Sequence, residues 1–269
     1  MKIRSYLSAF FGWTGIALLA LAGSAVAQQS DLPAGCSYPD YSQYEQGRYV
    51  FELNCVICHG PNGDGKGEMA ASLPIKPRSF IKGIFKYRST PSGKLPTNDD
   101  LRHTIRNGLT GTAMGMFTNL SEQDLRAVLE YIKFFSRKWR KEENYAASLT
   151  FPAPPKWFGD PAALSQRADA GRKTFLTTCA PCHGEKADGT GAAAVALKDE
   201  WGEPAHPADL RQQHLRCGDE PADIFRVLMT GLNGTPMVSF ADTLTEEQKW
   251  ELAAYVLSLR ETGRSDAAK

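Results

Sequence analysis

Two five-residue runs, CVICH at 55–59 and CAPCH at 179–183, constrain this 269-residue chain more than any other feature. Each heads a longer copy of the same text. Upstream, EQGRYVFELNCVICHG and DAGRKTFLTTCAPCHG place Gly47 or Gly171 four residues before Phe51 or Phe175 and eight before the first Cys. A spacing of four puts Gly and Phe on one face of a helix. Downstream, HGPNGDGKG (59–67) and HGEKADGTG (183–191) share His-Gly and the closing Gly-x-Gly, the text of a tight irregular loop. RNGLTGTAMGMF (106–117) then matches MTGLNGTPMVSF (229–240), which lays Met114 on Met237. His59 to Met114 is 114 − 59 = 55 residues, and His183 to Met237 is 237 − 183 = 54. Each copy closes on a capped amphipathic helix, from Ser121 with Asp124 three on and from Thr245 with Gln248 three on; Tyr131 and Tyr255 hold the same place in them. The chain is an internal duplication.

The expected organisation follows. Neither copy has an alternating β-branched run long enough for a strand, so the fold class is all-α with long loops. Domain one is expected at 41–140 and domain two at 166–262, with a leader at 28–40, a linker at 141–165 and a tail at 263–269. The linker holds four prolines and is expected to lie along a domain surface through Trp157 and Phe158. At the N-terminus Lys2 and Arg4 precede the apolar run YLSAFFGWTGIALLALAGSAVA, which ends in Ala25-Val26-Ala27. That is the layout of a signal peptide over 1–27, cleaved after Ala27, and it implies a periplasmic protein. The competing reading is an uncleaved anchor, since the run approaches the span of a bilayer. Cleavage would remove two of the 31 Lys and Arg and none of the 30 Asp and Glu, leaving 29 − 30 = −1. That balance does not support a nucleic-acid partner.

The chemistry of Cys-x-x-Cys-His narrows the function. Its two thiols lie close enough to add across the two vinyl groups of one haem, and the adjacent His is carried under the iron. A low-spin electron-transfer haem needs a second axial ligand, and a Met thioether raises the reduction potential; Met114 and Met237 are the candidates. A zinc site would need two more ligands at their own spacing, and a His joined to the second Cys is poorly placed to complete that tetrahedron. A thioredoxin-like dithiol would follow a strand in a βαβ pattern, which this text lacks.

With CVICHG, CAPCHG, GTAMGMF and GTPMVSF, the chain resembles the tandem dihaem c-type cytochromes of bacteria, two class I modules over roughly 200 residues. The resemblance implies a few helices around each covalently attached haem and an exposed haem edge. It makes Cys55, Cys58, His59 and Met114 the attachment and axial residues of the first haem, and Cys179, Cys182, His183 and Met237 those of the second. The first copy departs from the family's Met-Pro, reading Met114-Gly115-Met116, so two methionines compete for one iron; the alignment of GTAM with GTPM favours Met114. Met69 and Met229 read as packing residues.

Six cysteines leave two over, Cys36 and Cys217. A disulfide is one reading of them. Another follows from the resemblance: thiosulfate dehydrogenase and related dihaem enzymes use a Cys thiolate as an axial ligand, and Cys217 is the residue that would play this part. Arg88 reads as a propionate partner or a solvated charge. His103, on the helix before the Met loop and matched by Arg226, reads as a surface residue or a propionate contact, and His206 and His214 as solvated side chains. The expected function is an exported dihaem electron carrier between a donor oxidoreductase and a respiratory acceptor. The alternatives are a catalytic dihaem oxidoreductase or the haem subunit of a larger respiratory complex.

Overall fold

The computed structural model describes residues 32–267, and the expected signal peptide lies outside them. The described part is helical and contains no strand; the sole β-type pairing is an isolated bridge between Lys198 and Pro204. Four helices form the first module: α1 (Tyr44–Asn54), α2 (Val56–His59), α3 (Asn98–Asn107) and α4 (Glu122–Phe134). Four more repeat the order in the second: α5 (Pro161–Thr178), α6 (Ala180–His183), α7 (Pro221–Thr230) and α8 (Glu246–Ala267). The chain is all-α and two-domain, as the duplication implies.

The Gly-Phe spacing explains how each module closes. Gly47 faces α4 so closely that a methyl group there would lie 2.2 Å from Ala127 O, and one at Gly171 would lie 2.0 Å from Glu251 O on α8. Only glycine lets the first and last helices of a module cross at this distance. Phe51 and Phe175, each 1% exposed, then reach Tyr131 and Tyr255 at ring-centroid separations of 5.4 and 5.1 Å. Burying each phenylalanine contributes about 1.5–3 kcal/mol. The caps anticipated from sequence are present: the Asp124 amide donates to Ser121 Oγ, and Thr245 and Gln248 exchange two bonds as a capping box.

α5 starts at Pro161 because Asp160 accepts from the Ala162 and Ala163 amides and proline suits the first turn. The connecting segment is pinned at both ends. Leu149 N donates to Ser89 O, and Phe158 packs edge-on against Trp250, with Trp157 stacked on Phe158. Before α1, residues 36–40 are tied to α4 through a buried ion pair, Lys133 with Glu130, whose free valences go to Ser37 Oγ and Asp40 N.

The two modules touch through side chains that cap backbone groups. Arg88 is 1% exposed and donates to Thr230 O at 2.6 Å and Gly231 O at 3.4 Å, the last carbonyls of α7. Lys82 donates to Glu200 O, while Asn233 accepts from Gly93 N and donates to Lys94 O. Beside these contacts lies a cleft of about 560 Å³ between the outer faces of α3 and α7.

Candidate haem-binding sites

Each Cys-x-x-Cys-His run forms a single helical turn set on the end of the preceding helix. In the first, Cys55 N donates to Phe51 O, continuing α1, while Cys58 N and His59 N both donate to Cys55 O. In the second, the Cys179, Cys182 and His183 amides repeat these bonds with Phe175 O and Cys179 O. One turn therefore carries two thiols and an imidazole, the arrangement that spans the edge of one flat macrocycle.

Both imidazoles are oriented by a backbone carbonyl. His59 Nδ1 lies 2.9 Å from Arg78 O and His183 Nδ1 lies 3.2 Å from Ala208 O. A carbonyl only accepts, so each Nδ1 carries the proton and each Nε2 keeps its lone pair. Burial holds both histidines below the usual imidazole range, the charge state a metal ligand needs. Burial, with Cys58 and Cys182 as like neighbours, pushes Cys55 up to about 12 and Cys179 up to about 11. Such thiols remain protonated, unlike the low-pKa cysteine of a redox dithiol.

The Met loops are the same structure built twice. Leu109 N donates to Met114 O and Leu232 N to Met237 O, both at 2.9 Å. Thr112 Oγ1 accepts from Met114 N and Thr235 Oγ1 from Met237 N. Phe117 N and Phe240 N return the chain to Ile105 O and Leu228 O. Met114 packs on the first core together with Cys55 and Val56, and Met237 on the second with Cys179. Met116, two residues on, is 71% exposed.

A further feature suits a dianionic cofactor. Burial, then the charges of Arg78 and Arg216, brings Lys86 down to about 8, and Asp199 is the one carboxylate acting against this. Such a cluster accommodates added carboxylates, which a haem carries as propionates. The residues present thus fit two haems: neutral imidazoles, thioethers on matched loops, paired thiols and an excess of cations.

The other sequence candidates fall elsewhere. Arg88 is neither solvated nor beside the attachment turn, because it caps α7 across the module boundary. His103 is exposed and bonds Asn107, and it lines the cleft with Cys217. His214 pairs with Asp219, and His206 is exposed. Cys36 and Cys217 form no disulfide; their thiols lie near Ala146 O and Gly218 O. Burial, with Asp223, pushes Cys217 up to about 12, and the residue sits on the inter-module cleft rather than in either Met loop. Sequence reasoning missed Arg78 and Ala208, which act through their carbonyls, and Trp201. The sequence held no signal for them: His183 and its carbonyl partner are 25 residues apart, against 19 for His59, yet the His-to-Met spacings of the two copies differ by one.

Comparison with known proteins adds the assignment. Residues 44–135 match the cytochrome c family, and residues 166–256 match cytochrome C oxidase, cbb3-type, subunit III. A chain of the Kuenenia stuttgartiensis reducing HAO-like protein complex Kustc0457/Kustc0458 is 34% identical, covers 80% of this chain and 96% of its own, and superposes with a TM-score of 0.74. The chain belongs to the tandem c-type cytochromes. This cytochrome carries covalently bound c-type haem in each of its two modules and is an electron-transfer protein. It is also similar to the Cbb3-type cytochrome c oxidase subunit CcoP of Azospirillum sp. (strain B510), 25% identical over 79% of this chain and 61% of CcoP. The cytochrome bc1 complex cytochrome c subunit of Corynebacterium diphtheriae is 23% identical over 93% of this chain and 77% of that subunit. This cytochrome therefore spans less than two thirds of CcoP's length. Among the described residues no helix is long and apolar enough to cross a membrane.

Proposed function

We propose that this tandem cytochrome is an exported dihaem electron carrier that takes electrons from a donor oxidoreductase and passes them to a respiratory acceptor. Residues 1–27 direct export to the periplasm, and the carrier divides into modules at 41–140 and 166–262. Cys55 and Cys58 anchor the first haem, with His59 and Met114 as axial ligands; Cys179, Cys182, His183 and Met237 serve the second. Bound haem supplies a one-electron iron couple. The chain fixes the neutral imidazole through its Nδ1 bond, holds the thioether on a braced loop, and surrounds both with apolar side chains, which together set the potential.

One observation carries this reading: each module holds its histidine on a backbone carbonyl and its methionine on a loop with the same hydrogen bonds, which supports a His/Met pair in both modules and speaks against an open coordination position. The rival thiolate-ligated enzyme would depend on Cys217, which lines the cleft between the modules, whereas Met237 stands on the loop that matches that of Met114. Two of the relatives are named as cytochrome subunits of respiratory oxidase and bc1 complexes, which supports a membrane complex of that kind as partner. Ligand replacement tests the assignment. Met114→Ala is expected to abolish the methionine-to-iron charge-transfer band of one haem and lower its potential, and Met116→Ala to change neither. A spectrum lost in Met116→Ala and kept in Met114→Ala would overturn it.

A further inference from the structure

The second module is not a plain copy of the first between its glycine loop and the carbonyl that holds its histidine. Six additional residues, 25 − 19, separate His183 from Ala208. They form a small hairpin. Lys198 bridges Pro204, Asp199 N donates to Glu203 O, and Asp199 Oδ1 accepts from the amides of Trp201 and Glu203. This turn sets Trp201 at the hairpin tip, directed at the other module.

The tryptophan meets both ligand assemblies there. The Arg78 guanidinium lies 4.3 Å from its ring centroid, and Arg78 O is the acceptor that orients His59. On the other side the indole packs against Gly234, three residues before Met237 in the second Met loop; a methyl there would sit 3.1 Å from the indole and 2.8 Å from Ile84. Glu200 N donates to Gly234 O, and Glu200 O accepts from Lys82 of the first module. One side chain thus touches the residue behind the first histidine and the loop that carries the second methionine.

We propose that Trp201 is the bridge between the two redox modules, a positioning residue that holds the segment behind His59 in the first module against the Met237 loop of the second and so governs the rate of electron passage between the haems they would hold. The step moves one electron: the iron in one module is oxidised from Fe(II) to Fe(III) as the other is reduced from Fe(III) to Fe(II), and no bond or proton changes hands. The stack is a cation on an indole face in a partly desolvated setting, a contact of appreciable strength. A hairpin confined to one copy makes sense in this role, because the two copies meet through unlike faces and the contact needs one spanning element.

This inference rests on the dihaem carrier reading, and the test separates them. One electron is injected into the oxidised full-length holoprotein by a photoexcited flavin, and re-equilibration between the haems is followed optically in the native protein and in Trp201→Leu, Trp201→Phe and Arg78→Met. The Arg78→Met chain keeps its carbonyl on His59 while losing the closer of the two cations on the indole; because it also removes a charge of the Lys86 cluster, both haem potentials are titrated in every variant and rates are compared at equal driving force. Trp201→Leu and Arg78→Met are expected to slow inter-haem transfer severalfold. Trp201→Phe, which keeps an aromatic face, is expected to remain close to native. Native-like transfer in Arg78→Met and Trp201→Leu, with both methionine-to-iron bands intact, would overturn the bridge and leave the carrier reading standing. Absence of those bands from the native protein would overturn the carrier reading itself. Should Trp201→Leu not load haem, the Arg78→Met rate decides alone.

Discussion

At the scale of single residues the two copies differ in ways that compensate. Gly63 has φ 62°, and a methyl there would lie 2.6 Å from the Phe135 ring. The second copy has Ala187 in that place at φ 56°, with Leu259 where Phe135 stands. Leucine at the matched position is smaller than the phenylalanine that crowds Gly63, which fits an alanine being accepted at 187 while the backbone keeps its left-handed geometry. Gly63→Ala should therefore destabilise the first module by about 1–3 kcal/mol, from overpacking and strain together. Ala187→Gly should be close to neutral, because relief of roughly 1–2 kcal/mol of left-handed strain offsets about 0.8 kcal/mol of lost methyl burial. Urea midpoints of the two variants check this; equal destabilisation by both would contradict it. Residue-level chemistry was largely legible in the text, since Cys-x-x-Cys-His carries its chemistry in its spacing. Spacing alone leaves Met114 and Met116 in competition; Met114 packs on the core while Met116 is 71% exposed, which supports Met114.

At the scale of elements, the helices that the sequence announces are those with local signals: the Gly-Phe face of α1 and α5, and the serine and threonine caps of α4 and α8. Long-range partners were not legible. Arg88 looked like a loop charge because nothing in KYRST announces that the acceptors are carbonyls some 140 residues away. It acts as a C-terminal cap for α7, supplied by the other module, where cations and donors are favoured. Arg88→Met keeps the buried stem but strands the Thr230 carbonyl, while Gly231 O keeps the Thr230 hydroxyl as donor, at a cost of about 1–3 kcal/mol. Calorimetry should show a lower melting temperature for the second module and weaker coupling of its transition to the first. An unchanged thermogram would show that the cap has no such role. The Trp201 hairpin was hidden for a related reason: its sequence, DEWGE, is polar and irregular, and its purpose appears only when the first module is set beside it.

At the scale of the molecule, duplication supplies two matched sets of candidate ligands, and the interface supplies what neither copy has alone. The fold class and the division into two modules were legible because repetition is read directly from text. The mutual placement was not, since it depends on Arg88, Asn233 and Trp201 meeting groups far off in sequence. The central claim is that both modules bind haem through His and Met and act as electron carriers. It is tested most directly by the near-infrared spectrum of the oxidised native protein, scaled to its haem content. The account predicts two low-spin haems per chain, each contributing a methionine-to-iron charge-transfer band. A high-spin haem, or the band from one haem only, would contradict it.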